Sequence, residues 1–370
     1  MHYTQHHVYP DLAKIRVVFA VKNFAAVPGV SHIGLGVTAT TTMKTLRRNG
    51  VHAEAWSCRD APDLARRLIA DHAGHHHLRH HPITHVIVSA PSWVQPDDFN
   101  TLALTYPNIE FVQLNHSGCA FLSIDRNGIR NIKAVGDLSL MMHNVRLAGN
   151  NPRFTAWASE SFGVDCLLLP NLYDVRSFVP RYVWPKPRGH VLKIGSFGAW
   201  RAWKNQLTAA EAAVQLARRL GVDLELYVNS GRTEGEAGQR MGKSRQELFE
   251  KLRGCKLINV PWERWAKFRQ TVSTMHLLFQ PSFSETFNVV SADGLAAGVA
   301  TVASSAIEWL PSRWHCDTDD PSDMVRVALY LLNDTHAIED ARRKLTEYAV
   351  LGLSRWKAYL NGNQEVMEAP

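Results

Sequence analysis

Two rhythms alternate along the chain. Short apolar runs rich in β-branched residues recur at 15–21 (IRVVFAV), 51–56 (VHAEAW), 85–89 (HVIVS), 109–114 (IEFVQL), 166–169 (CLLL), 192–195 (LKIG), 224–228 (LELYV), 277–280 (LLFQ) and 299–302 (VATV). Between them lie stretches with helical spacing. In residues 206–220 the apolar positions fall at 207, 210, 214, 217 and 220 and stop at Gly221, the signature of an amphipathic helix closed by glycine. Residues 64–70, 323–332 and 341–360 read as further helices, and 154–158 completes the first set of elements. Strands that are apolar throughout, each separated from the next by a helix, predict parallel sheets covered on both faces. The pattern is interrupted once, by the proline-rich run FVPRYVWPKPRGH, and then starts again. That predicts two doubly wound units facing a central cleft, joined by a linker at 181–190. Functional residues are then expected in the loops that follow strands.

Length agrees with this division: 370 residues suit two domains better than one core. No apolar stretch nears the ~18 residues a membrane-spanning helix needs. The opening MHYTQHHVYPDLAK carries no apolar leader core, so a cytoplasmic location is expected. Five scattered cysteines without a CxxC pair suggest reduced thiols. The formal charge is +7, and both halves are positive: residues 1–180 hold 16 Lys and Arg against 13 Asp and Glu. Such a balance suits an anionic ligand, nucleic acid among them.

The most informative segment is 279–304, FQPSFSETFNVVSADGLAAGVATVAS. A strand ends at Pro281-Ser282, a loop offers Glu285, Thr286 and Phe287, and a helix of small residues follows. The first turn of that helix presents unpaired N–H groups that can hold phosphate oxygens. Asp293 inside it needs a partner, and two ribose hydroxyls would serve; a solvent-facing carboxylate is the alternative. This segment resembles the donor-binding signature of retaining GT-B glycosyltransferases, glycosyltransferase family 4 in particular. The matching residues are Ser282, Glu285, Phe287 and, eight positions after the glutamate, Asp293. The sequence departs from that signature twice: the second acid is Asp instead of Glu, and Asn288 stands where the family has glycine.

The resemblance extends over most of the chain. It implies a GT-B fold: a first Rossmann-like, acceptor-side domain at 1–180, the linker, a second, nucleotide-sugar-binding domain at 191–345, and a final helix and tail at 346–370 returning to the first. LKIGSFGAWRAWKN (192–205) is similar to the family's diphosphate-gripping strand and loop, with Arg201 and Lys204 as its basic pair. The implied donor contacts are Gly198, Arg201, Lys204, Thr286, Phe287, Asn288, Val289 and Asp293. Asn229, Val260 and Pro261 would lie beside the nucleobase. Gly29, Gly34 and Gly36 resemble the family's glycine-rich loop, and His116 matches a histidine placed near the transferred sugar. His116 and Glu285 are the implied catalytic residues. The implied co-substrate is a nucleotide-diphosphate sugar, a UDP-sugar such as UDP-glucose first, with no cofactor and no metal required.

Three other patterns are set aside. His75, His76, His77, His80 and His81 have metal-like spacing, yet no Cys or carboxylate stands near them, so a solvated tract is the reading. Asp317-Thr318-Asp319 reads as an acidic lead-in to the helix at 323–332. Tryptophans alternate with bases in AWRAWK, PWERWAKFR and LSRWK. They suit either an aromatic inner face or stacking on nucleic acid. The acceptor stays open between a hydroxymethylated base in DNA and a glycan or small-molecule hydroxyl. A non-catalytic relative that binds nucleotide sugar or DNA is the alternative from another class.

Overall fold

A strand with no polar face must be covered on both sides. In β1 (Arg16–Lys22), Val17 and Phe19 enter one core with Ile87, Val112 and Trp356. Val18 and Ala20 enter another with Trp56, Leu64, Val86 and Phe99. Each such side chain, fully buried, contributes roughly 1.5–3 kcal/mol. The computed structural model describes residues 12–22, 33–74, 81–89, 93–123, 125, 127–177, 189–229 and 232–362. Its contacts divide the chain into two units. The first holds 12–22, 34–172 and 349–362, and the second holds Ile33 and 173–348.

In the first unit β1 joins β2 (His52–Cys58), β3 (His85–Ser89), β4 (Glu110–Asn115), β5 (Val145–Gly149) and β6 (Cys166–Leu168). All pairs are parallel, in the order β2-β1-β3-β4-β5-β6. Helices α1 (Ile33–Arg48), α2 (Ala61–His72), α3 (Pro96–Thr105), α4 (Gly128–Met141) and α5 (Pro152–Phe162) alternate with the strands. Local signals fix their ends. The Asp60 carboxylate accepts the Asp63 N–H at 2.7 Å to cap α2, and Gly163, at φ 65°, closes α5.

The second unit has β7 (Val191–Ser196), β8 (Asp223–Asn229), β9 (Cys255–Val260), β10 (Leu277–Gln280) and β11 (Ala300–Ala303). Their order is β11-β10-β7-β8-β9, again all parallel. Its helices are α6 (Gln206–Leu220), α7 (Gly235–Phe249), α8 (Trp265–Val272), α9 (Val289–Ala296), α10 (Pro321–Asn333) and α11 (Ala337–Leu360). Because the strands are parallel, the loops after β7, β8, β9 and β10 leave one edge of the sheet. Residues 349–360 of α11 belong to the first unit. There Trp356, 1% exposed, donates its indole N–H to the Pro170 carbonyl at 2.8 Å, and Tyr359 donates to Glu110.

Several expectations need correction. Gly34 and Gly36 are not in a loop but in the first turn of α1. Leu35, Ala39, Met43 and Leu46 have helical spacing and pack on the core, carrying the helix back over both glycines. Gly29 lies outside the described residues. Residues 154–158 belong to α5, capped by Asn151. The elements additional to those read from the sequence include β5, β9, α3, α4 and α7. The second unit begins at Tyr173, ahead of the 181–190 segment, of which 181–188 lie outside the described residues. So do His75, His76, His77 and His80. His81 stacks on His52 with ring centroids 4.1 Å apart, and its carbonyl accepts from the buried Arg16. All five cysteines are free thiols, three of them buried.

Candidate donor site

The edge where β7, β8 and β10 end carries most of the candidate residues. β7 runs out into Phe197 and Gly198. The glycine sits at φ 124°, a conformation that side chains disfavour, and its N–H donates to Asn229 Oδ1 at 2.9 Å. Asn229 ends β8 in register with Val260, which ends β9. The side chains of Asn229 and Val260 are both buried, whereas Pro261 is exposed. Asn229 therefore shapes the Gly198 turn with its side chain, an internal role beside the one expected next to a base.

Trp200 ties the next stretch down. Its N–H donates to the Arg232 carbonyl at 2.9 Å, its carbonyl accepts the Glu234 N–H at 2.8 Å, and its indole N–H donates to the Asn229 carbonyl at 2.5 Å. The ring fills a slot on α7. A Cβ at Gly238 would lie 2.2 Å from the Trp200 carbonyl oxygen, and one at Gly242 would lie 2.1 Å from the ring. Arg245, fully buried, covers the ring face at 4.6 Å, and burial brings its guanidinium down to about 10.

Arg201 and Lys204 follow. Arg201 Nε lies 3.2 Å from Glu234 Oε2, and Arg232 lies 2.8 Å from Glu234 Oε1. Lys204 is ion-paired with Glu285, both side chains nearly buried. Glu285 Oε1 also accepts from Ser282 Oγ at 2.9 Å and Asn288 Nδ2 at 3.0 Å. Burial would raise its carboxyl; Lys204 outweighs that, helped by Arg201 and Ser282, and holds it below the usual range. Asn205, at φ 51°, staples this loop through its amide to the carbonyls of Pro281 and Thr318. The Asp317–Asp319 stretch is thus bonded into the fold; Asp317 Oδ1 accepts the Asp319 N–H at 2.9 Å.

Asn288 explains the lost glycine. It takes the left-handed conformation (φ 60°) that glycine would, and caps α9 by accepting the Ser291 N–H at 2.8 Å. Thr286 and Val289 are half-buried beside it. Phe287 is anchored by its ring. Its ring is 2% exposed and packs among Trp309, Tyr348 and Tyr173, with centroids 5.6, 5.7 and 6.3 Å away. Only its main chain is then open to a donor role, because an aromatic ring gains more from that core than from a polar ligand.

Asp293 has partners of its own. Oδ1 accepts from the Tyr173 hydroxyl at 2.5 Å and the Trp265 indole at 2.8 Å. Burial pushes its carboxyl up to about 7, against those two bonds and the charge of Arg269. The carboxylate expected on a ribose is the hub of a buried network. No motif in the sequence marks Tyr173, and Trp265 stands out there only within a Trp/basic run.

His116 lies in the first unit, one residue beyond β4. Asn150, just after β5, donates its amide N–H to His116 Nδ1 at 3.2 Å. An amide NH2 can only donate, so Nδ1 is the acceptor and Nε2 carries the proton. Burial lowers the imidazole to about 4, which keeps it neutral near pH 7. Asn150 also donates to Asn171 Oδ1 at 3.4 Å, and Asn115 donates to the Ala148 carbonyl at 3.0 Å. No motif in the sequence marks this asparagine rim at the ends of β4, β5 and β6.

No protein-family model and no curated protein sequence matches the chain. Solved structures do. Sucrose-phosphate synthase from Thermosynechococcus elongatus superposes with a TM-score of 0.65 at 14% identity, over 93% of this chain and 98% of that one. The catalytic domain of starch synthase IV from Arabidopsis thaliana, bound to ADP and acarbose, gives 0.63 at 10% identity, over 96% and 100%. A TarM variant from S. aureus, in complex with fondaparinux, α-GlcNAc-glycerol and UDP, gives 0.54 at 12% identity over 75% of this chain. The chain spans 55% of the TarM length. These neighbours are GT-B glycosyltransferases, and the α/β fold with two parallel sheets is theirs. Among the described residues no helix is long and apolar enough to cross a membrane.

Proposed function

We propose that the chain is a retaining glycosyltransferase that moves a sugar from a nucleotide-diphosphate sugar, a UDP-sugar first, to an acceptor hydroxyl. One observation carries this reading: the Lys204–Glu285 pair sits where β7 and β10 end, beside the Asn288-capped start of α9. Lys204 and Arg201 supply the positive charge that a departing diphosphate needs, and the first N–H groups of α9 supply fixed dipoles. Glu285, held ionised by Lys204, faces the sugar side as the lysine turns to phosphate. His116, neutral with its proton on Nε2, donates a hydrogen bond to a sugar hydroxyl and does not act as a base. The leaving phosphate takes the acceptor proton, and no metal is needed for charge neutralisation. Asp293 positions Tyr173 and Trp265 beside the donor loops and does not grip the ribose directly. Asn229, Val260 and Pro261 form the base side.

The acceptor we favour is a glycan or small-molecule hydroxyl. A hydroxymethylated base in DNA needs aromatic side chains free to stack. The indoles of Trp200, Trp265 and Trp356 are engaged with Asn229, Asp293 and Pro170 inside their own units. The test is a transfer and hydrolysis assay with radiolabelled UDP-, ADP- and GDP-sugars. Acceptors are a glycan panel, small alcohols, and duplexes with and without a hydroxymethyl base. Release or transfer of sugar from at least one donor is expected. Absence of both binding and turnover with every donor would remove the reading, whereas label entering only the hydroxymethylated duplex would reinstate DNA.

A further inference from the structure

We infer that Arg232, which no motif singles out, joins Arg201 in a two-arginine seat for a donor phosphate, and that the Glu234 carboxylate holds the place the phosphate takes. This rests on the donor-site reading above. The geometry is that of an anion site. Two guanidinium groups, one from the loop after β7 and one from the loop after β8, converge on the two oxygens of a single carboxylate at 3.2 and 2.8 Å. Planar forks of this kind match carboxylate and phosphate alike.

The main chain fixes the convergence. The parallel bridge between Trp200 and Thr233, with its two hydrogen bonds, sets Arg201 and Arg232 on adjacent strand ends whatever their side chains do. Trp200 is in turn seated in the glycine slot of α7.

A structural ion pair would need one arginine, and the second is unfavourable on its own terms. Arg232 is 15% exposed; burial lowers its guanidinium, and the like charge of Arg201 adds to that, while Glu234 opposes both. A phosphate, bringing more charge than a carboxylate, relieves the arginine–arginine repulsion that Glu234 relieves only in part. Glu234 is also free to leave. It stands at the N-cap position of α7, yet its side chain makes no cap bond, and its main chain stays pinned to Trp200. Its carboxylate is therefore a competitor that a diphosphate displaces by side-chain rotation alone.

The two residues then act on affinity with opposite signs. In calorimetry on the full chain with UDP, Arg232→Gln weakens binding by about tenfold, the worth of one charge-assisted hydrogen bond. Glu234→Gln tightens it by about threefold or more, because the competing anion is gone. Uridine without phosphate binds all variants alike. Arg232→Lys, which keeps the charge without the fork, serves as a second variant if Arg232→Gln does not fold. Unchanged UDP affinity in the Arg232 variants, or weaker affinity in Glu234→Gln, overturns the inference while leaving the donor site standing. If the wild-type chain binds no nucleoside diphosphate, it is the donor-site reading that fails. Inorganic pyrophosphate then decides the seat by itself: binding that Arg232→Gln weakens supports it, and no binding overturns it.

Discussion

Asp293→Asn isolates the energetic role of the buried carboxylate at the centre of the second unit. In the folded chain this group is 1% exposed and its pKa is raised from 3.8 to about 7. Three pK units correspond to roughly 4 kcal/mol of differential stability. The sign is set by which state holds the proton. Between pH ~4 and ~7 the folded carboxyl keeps its proton while the unfolded one has lost it, so stability falls as pH rises through that window. Below pH ~4 the contribution is fully present, and above ~7 it is gone. From pH 5 to pH 7 the wild-type chain should lose roughly 2 kcal/mol that Asp293→Asn does not lose. The amide keeps an oxygen for Tyr173 and Trp265 but brings an N–H2 into a buried place, a fixed cost of about 1–3 kcal/mol. The informative quantity is thus the slope and not the absolute stability. Urea denaturation followed by tryptophan fluorescence at pH 5, 6, 7 and 8 measures it in both proteins. The wild-type curve should fall relative to the variant's as pH rises. Parallel curves would show that Asp293 is ionised throughout and would refute the reasoning.

Three further outcomes follow from the same geometry. Lys204→Met should weaken UDP binding by about tenfold or more in calorimetry and lower thermal stability, since Glu285 keeps its burial and loses its cation. Asn288→Ala should cost roughly 2–3 kcal/mol, combining a lost N-cap with a left-handed alanine, whereas Asn288→Gly should cost only tenths; urea melts separate the two. In nitrogen NMR spectra, His116 should show the Nε2–H form from pH 5.5 to 8 without titrating, and Asn150→Asp should move its pKa upward, because a carboxylate favours the protonated ring.

The elements legible in the sequence were those whose environment is uniform along their length. β3 and β10 are covered on both faces, so their runs HVIVS and LLFQ are apolar without interruption and their bounds follow directly. α6 has one buried stripe and a terminal glycine, and its limits follow too. β9 is an edge strand whose Lys256 is exposed, and its CKLINV gives neither alternation nor a continuous run. α7 was hidden by Gly235, Gly238 and Gly242, residues that argue against a helix. Two of them are there because the Trp200 ring and carbonyl occupy the space a Cβ would take. In the site, Lys204 and Glu285 could be named from local motifs. Their pairing across 81 residues, and that of Tyr173 with Asp293 across 120, depend on strand order, which no local pattern encodes. Glu234 and Arg232 were silent for the same reason.

The split of α11 bears on how the molecule is made. The core of the first unit closes on Trp356, Tyr359 and Leu360, which leave the ribosome only after the 176-residue segment 173–348 of the second unit. At ordinary elongation rates that is a wait of roughly ten to thirty-five seconds. Through that interval the Pro170 carbonyl and the face of β1 bearing Phe19 have no indole to meet. The usual N-terminal-first order of domain completion is therefore reversed here. Among the described residues the second unit takes none beyond Tyr348, so its chain is complete first. A stop codon just past residue 348 would spare the unit that carries the donor residues and leave the other unit open along one face of its sheet.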